Sequence, residues 1–196
     1  MIDAKIVMQL RAMTDAGMMD AKAALEESGG DLEKATEILR KKGVAKADKK
    51  AERVAKEGRI FTYLHSNNRL AAMVELYCET DFVAKTEQFQ NLGRDLAMHV
   101  AATAPRYVRR EEVPAEIVEK EKETYRAEIA EQNKPAEIVE KIVEGKLNKF
   151  YSEVCLLEQL FIKDDTKTVE IMVKEVVGIL GENMQVGRFT RMSLGE

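Results

Sequence analysis

Glu79-Thr80-Asp81-Phe82-Val83-Ala84 lies where an alternating, strand-like run gives way to a helical pattern. A carboxylate beside a large apolar ring on a connection suits insertion into a partner better than bond-making. Burying a phenylalanine is worth roughly 1.5–3 kcal/mol, and such a ring on a connection usually has a destination. The same ring could instead seal the core beneath the next helix. Covalent chemistry has poorer candidates. His65 and His99 have neither a nucleophile nor a metal-ligand partner at useful spacing. His99 sits beside an apolar helical stripe, as a hydrogen-bonded core histidine would. Cys78 and Cys155 are far apart and form no Cys-x-x-Cys pair, and no phosphate loop or dinucleotide fingerprint occurs. Glu75 and Glu79 could share one strand face, where carboxylates are usually solvated. These residues describe a binding protein, not an enzyme, with no cofactor and no metal implied.

The elements that must position them begin with three short helices in residues 1–43. Asp3 is a plausible N-cap, and Ile6, Leu10 and Met13 fall on one face. Asp15-Ala16-Gly17 breaks the pattern before a second helix with Met18, Met19, Ala21 and Leu25. Gly29-Gly30-Asp31 leads into a third with Ala35, Ile38 and Leu39, which Gly43 closes. Residues 44–57 form a basic helical linker. Lys41, Lys42, Lys46, Lys49, Lys50, Arg53 and Lys56 face only Asp48 and Glu52 in acid, a run that can contact phosphates but more often forms a solvated helical surface.

Residues 58–196 form the core domain. Ile60, Thr62 and Leu64 alternate with Phe61, Tyr63 and His65. After the Ser66-Asn67-Asn68 turn, Leu70, Ala72, Val74, Leu76 and Cys78 share a face, which makes a β-hairpin. Phe89, Leu92, Leu96 and Val100 then mark the buried side of a helix. From Glu111 to Glu144 there are eleven acids against five bases. Within that stretch Pro114-Ala115-Glu116-Ile117-Val118-Glu119-Lys120 recurs at Pro135–Lys141, each copy placing Pro at a first helical position. Two copies predict an antiparallel helical pair over 114–151, too few for a solenoid. Val154–Ile162 reads as a strand, Thr168 caps a helix ended by Gly181, and Met184–Leu194 reads as a strand interrupted at Gly187. The fold class is α+β, with an antiparallel sheet packed against helices.

With 196 residues, 45% apolar and 34% charged, the chain can bury a core, and its net charge of −4 gives no global pull toward nucleic acid or membrane. Two cysteines fit buried thiols in a reducing compartment. The N-terminal Met1-Ile2-Asp3-Ala4-Lys5 lacks a signal-peptide layout, and no apolar run is long enough to span a bilayer. A cytoplasmic protein is expected.

The same residues carry a resemblance. Leu10-Arg11 with Thr14-Asp15-Ala16-Gly17-Met18-Met19-Asp20-Ala21-Lys22-Ala23-Ala24-Leu25 resembles the N-terminal signature of the bacterial translation elongation factor Ts family. Cys78–Ala84 resembles that family's central motif, while Asp95–Ala102 and Val143–Phe150 resemble further blocks, in order along the chain. The small N-terminal bundle resembles the family's ubiquitin-associated-like domain. The resemblance implies a guanine nucleotide exchange factor that releases GDP from elongation factor Tu, binding it in GDP-bound and nucleotide-free forms. Thr80, Asp81, Phe82 and Val83 match the segment that intrudes near the partner's magnesium site. Arg11, Met18, Met19, Lys22, Lys50 and His65 match its other contacts.

The family usually has Gly at Asp15 and Pro at Leu160. This chain carries one hairpin-plus-motif module where long members carry two, which implies a homodimer joined through a free strand edge. The rival readings are a nucleic-acid-binding adaptor working through the Lys41–Lys56 run, a hydrolase lacking its nucleophile–base pair, and a bundle that binds ubiquitin-like partners by fold analogy alone.

Overall fold

A computed structural model describes residues 2–130 and 135–195. The element order is α1 (Ala4–Thr14), α2 (Met18–Glu27), α3 (Leu32–Asp48), β1 (Glu57–Leu64), β2 (Leu70–Cys78), α4 (Asp81–Ala84), α5 (Glu87–Thr103), α6 (Ala115–Ala130), α7 (Ala136–Val154), β3 (Leu160–Phe161), β4 (Asp164–Thr168), α8 (Val169–Leu180) and β5 (Met184–Ser193). The fold is α+β: an antiparallel sheet of order β1-β2-β5, a small β3-β4 sheet, and helices. No described helix is long and apolar enough to cross a membrane. The chain divides into two compact units: Met1–Phe61 with Glu75–Asp95 and Ile171–Val186, and Thr62–Val74 with Leu96–Glu170 and Gly187–Glu196.

In the first unit α1, α2 and α3 close on Val7, Leu10, Ala21, Ala24, Leu25 and Ala35. Three small alanines in that set let the helices approach closely, which suits a bundle with few large residues. Asp3 caps α1 by accepting from the Lys5 N–H, and Asp31 caps α3 by accepting from Glu33 and Lys34. Asp15 ends α1 at φ 53°, a left-handed position where an aspartate is tolerated and a glycine is unstrained. Met13, expected on the buried face, is exposed. Val7 takes its place beside Leu10 because the stripe runs one residue out of the expected phase. Gly43 does not close α3, which continues to Asp48. The reason lies across the packing: Gly43 lies against the backbone of Gly178 in α8. Lys174 of α8 pairs with Asp48 at 2.8 Å.

Ala72, Val74, Leu76 and Cys78 are buried, as the β2 alternation requires, while Ile60, Thr62 and Leu64 of β1 face outward. Phe61 packs on Phe89 at 5.8 Å between ring centroids. Phe89, Leu92, Leu96 and Val100 are all buried along α5. Along β5 the inward residues are Met184 and Val186, and after Gly187 the phase slips to Phe189 and Arg191.

In the second unit the predicted strand over 154–162 is corrected. Its first residue ends α7, Leu156–Glu158 form a 3₁₀ turn, and only Leu160–Phe161 pair as β3, against the polar β4. Cys155 is held instead by a bridge to Tyr107 and by the N–H of Cys155 on Tyr151 O. α6 and α7 form the expected helical pair, burying Ile129 and Val143 and tied by Arg126–Glu140 at 2.8 Å and by Lys146–Glu128. Residues 131–134, which lie within the predicted pair, fall outside the described residues. Pro135 is the N-cap of α7 rather than its first residue. At ψ 143° it stays extended, and its carbonyl accepts from Ile138 and Val139.

His99 is fully buried. Its Nδ1 accepts from the Ile162 N–H at 3.3 Å, so Nε2 carries the proton and donates to Gln159 Oε1 at 3.0 Å. Gln159 also accepts from Thr103 Oγ1 and donates to Glu153 O, which leaves its amide satisfied. Burial holds the imidazole below its ordinary 6.5.

Candidate functional site

Thr80 leaves β2 in an extended conformation, φ −128° and ψ 156°, and its hydroxyl accepts from the Val83 N–H at 3.4 Å. That cap starts a helix only one turn long, and one turn has two sides. Val83 and Ala84 point inward and are buried, while Asp81 and Phe82 point out. Phe82 is 77% exposed, so the core is sealed by its neighbours and not by its ring. Lys85 pairs with Asp81 at 2.5 Å, holding that carboxyl below the usual range. The same ammonium stands 5.7 Å from the centre of the Phe82 ring.

The base of this turn is fixed from a distant part of the chain. Glu182 accepts the Thr80 N–H at 3.0 Å and the Thr80 hydroxyl at 2.7 Å. The Asn183 N–H donates to Glu79 at 2.6 Å, so Glu79 is a structural acceptor and not the solvated carboxylate expected of it. The Asn183 side-chain amide donates to Ala51 O at 3.2 Å and Arg53 O at 2.6 Å, and Lys50 donates to Gly181 O at 2.7 Å. One turn, Gly181-Glu182-Asn183, thereby holds both the segment after α3 and the start of α4. Sequence reading found Gly181 as a helix stop and missed the two residues after it. The only signal was their place in a turn opened by a glycine at φ 81°.

The other expected contact residues are placed as follows. Arg11 is exposed and donates to Ala16 O at 3.1 Å, bracing the α1–α2 turn. Met18 and Met19, 46% and 75% exposed, begin α2, and Lys22 lies one turn on, 3.9 Å from Glu26. Lys50 belongs to the cluster just described. His65, near the tip of the hairpin and in the other compact unit, shares a hydrogen bond between its Nδ1 and Tyr63 Oη at 2.9 Å. The basic run is largely matched within the chain: Lys41 to Glu37, Lys42 to Glu27, Lys46 to Asp20 and Arg53 to Glu79. That leaves little of it to recognise phosphates, and no base-stacking aromatic lies within it.

Burial pushes both thiols up to about 11, far from nucleophilic character. Among the described residues no group of three or more His, Cys, Asp or Glu side chains could hold a metal ion. A cavity of about 530 Å³ is lined by Arg109, Arg110, Glu111, Leu157, Glu158, Thr168 and Glu170. On its wall Arg110 makes a two-pronged bond to Glu158 at 2.8 and 2.6 Å. Outward, the described residues present an anchored single turn with an exposed ring and an exposed methionine pair.

A family model described as Elongation factor TS matches residues 21–196. An elongation factor Ts of Thermosipho melanesiensis is 56% identical over 196 residues, covering 100% of both chains. One of Fervidobacterium nodosum is 55% identical over 195 residues, covering 100% of this chain and 99% of its own. That of Geobacter sulfurreducens is 54% identical over 195 residues and is covered to 90% of its length. These relatives, unlike the family model, also span Arg11, Met18 and Met19.

Proposed function

The chain belongs to the elongation factor Ts family and is a translation elongation factor, and from that premise we propose that it drives GDP release from elongation factor Tu in the cytoplasm. Exchange needs no bond made or broken by this chain and no cofactor of its own. The observation that carries the reading is Phe82, 77% exposed on a turn whose base is anchored. Asp81 and Phe82 enter the partner beside its Mg²⁺ and nucleotide, with Thr80 and Val83 holding the turn that presents them. Mg²⁺ bridges nucleotide phosphate and protein, so displacing its ligands weakens both holds at once.

A thousandfold faster release needs about 4 kcal/mol off the barrier. Burying one phenylalanine supplies roughly 1.5–3 kcal/mol, and the redirected Asp81 carboxylate adds to it once it leaves Lys85. Arg11, Met18, Met19, Lys22, Lys50 and His65 supply the grip that makes the insertion favourable. Because coupling is reciprocal, GDP·Mg²⁺ must weaken the factor's hold on its partner by the same ratio. The test is release of a fluorescent GDP analogue from elongation factor Tu by the wild-type chain and by Phe82→Ala. Strong acceleration that the substitution reduces supports the reading, and no acceleration with a matched partner overturns it.

The chain acts as a homodimer binding two partner molecules. β1 and β5 flank the sheet, and Leu64, Met73 and Met192 are 62%, 48% and 76% exposed, an apolar set that a second copy would cover. Light scattering at working concentration should give twice the chain mass. A monomer mass would sink the dimer and leave the exchange reading standing.

A further inference from the structure

Thr80 has one hydroxyl proton and two lone pairs. Its cap on the Val83 N–H uses a lone pair, and this requires the proton to point elsewhere. Glu182 supplies that direction, accepting the proton at 2.7 Å while its second oxygen takes the Thr80 N–H at 3.0 Å. The carboxylate is an acceptor at both oxygens, so it fixes the hydroxyl rotor and the peptide plane together. On the opposite side the Cys78 thiol donates to Thr80 O at 3.1 Å. The reciprocal bond from the Asn183 N–H to Glu79 at 2.6 Å clamps the preceding residue.

Resting on the exchange activity proposed for this chain, we infer that Glu182 is a positioning residue for Asp81 and Phe82. It touches neither the partner nor the nucleotide. It sets the direction in which the single turn of α4 leaves the sheet, and hence where the exposed ring points. The four-residue helix is tied straight back to Thr80, whose carbonyl accepts from the Ala84 N–H at 3.3 Å, and it is too short to average out a misdirected first residue. Geometry imposed at Thr80 passes directly to Phe82. Glu182→Gln keeps the shape but only one acceptor, so its amide either faces the Thr80 N–H or donates to the Thr80 hydroxyl, whose proton then loses the carboxylate that fixed it.

The experiment is nucleotide release from elongation factor Tu at increasing concentrations of the full chain, comparing wild type, Glu182→Gln, Phe82→Ala and the double variant. A hydrogen bond to a charged group lost at the anchor should lower the maximal release rate about tenfold. The half-saturating concentration should stay within about twofold, because the rest of the contact surface is intact. In the Phe82→Ala background the Glu182 substitution should cost less than about twofold, since the group it positions is gone.

A raised half-saturating concentration at unchanged maximal rate, or rate losses that multiply in the double variant, would overturn the positioning role. Should Glu182→Gln fail to melt cooperatively, Thr80→Val removes the hydroxyl bond to Glu182 from the other side, together with the cap on Val83, while keeping the carboxylate. It must then reproduce the loss of maximal rate, and a normal rate would overturn the inference. Absence of acceleration by wild type is a separate outcome: it overturns the exchange activity itself, and the positioning role with it.

Discussion

Gly43 of α3 and Gly178 of α8 meet backbone to backbone, yet the contact is asymmetric. A Cβ on Gly178 would lie 2.6 Å from the Gly43 Cα and 3.0 Å from its carbonyl oxygen, whereas a Cβ on Gly43 would find its nearest neighbour, the Gly178 Cα, at 3.9 Å. The same chemical change at two touching glycines should therefore act in opposite directions. Gly43→Ala gains up to about 1 kcal/mol of helix propensity without a clash. Gly178→Ala forces two helix backbones apart, costing about 1–3 kcal/mol beyond any propensity gain. Thermal melts of the two variants should bracket wild type, and matching shifts would mean that the helices do not cross at these residues.

Function and stability should separate at Phe82. With its ring 77% exposed, Phe82→Ala should leave the unfolding free energy within about 0.5 kcal/mol of wild type. The adjacent Val83→Ala, which cuts into a buried side chain, should cost about 1 kcal/mol or more. Urea titrations of both variants check this, and a large stability loss in Phe82→Ala would show that the ring is packed after all.

Lys85 holds the Asp81 carboxyl below the ordinary carboxylate range in the free chain. Replacing it, as in Lys85→Gln, should raise the Asp81 pKa toward the ordinary carboxylate range, because the lowering comes first from the Lys85 hydrogen bond. The direction of linkage follows: the pair's contribution is present above the unfolded pKa and is lost as pH falls through the lowered folded one. Carboxyl chemical shifts followed by NMR through the acid range would show the change, and identical Asp81 titrations in the two proteins would discount the pair.

His99 should make the second unit sensitive to mild acid. Its folded pKa lies below 6.5 because burial disfavours the imidazolium. Below pH ~6.5 the unfolded chain therefore binds a proton that the folded chain refuses. Stability is complete above that pH and falls by up to ~1.4 kcal/mol per unit as pH drops toward the folded value. Protonation would also set an imidazole N–H against the Ile162 N–H, which now donates to Nδ1. Denaturant midpoints between pH 7.5 and 5 should fall more steeply for wild type than for His99→Gln, and parallel slopes would argue against the effect.

The readable parts of this sequence were those in which burial repeats with a fixed period. Ala72, Val74, Leu76 and Cys78 declared one strand face, and Phe89, Leu92, Leu96 and Val100 one helix face, because each set is buried throughout. Where partners lie far along the chain, local signals misled. Gly43 looks like a helix stop until Gly178 is set against it. The apolar run from Val154 is shared among a helix end, a 3₁₀ turn and a two-residue strand, while the polar Asp164–Thr168 pairs as β4 with no alternation to betray it. A single Phe82 carries no period, so its exposure was undecidable until the side occupied by Val83 and Ala84 was known. Glu182 and Asn183 carried no signal beyond the turn that Gly181 opens, since their partners stand 102 and 104 residues upstream.

That separation has a consequence for synthesis on the ribosome. The three N-terminal helices bury a core made wholly from residues up to Leu39 and can close early in elongation. Thr80, by contrast, waits through about a hundred further codons for the carboxylate that orients it. A nascent chain can thus display its methionine pair long before its phenylalanine is aimed. On the exchange activity proposed for this chain, a nascent product that stops short of Glu182 would carry the methionine pair without the anchor that aims its ring.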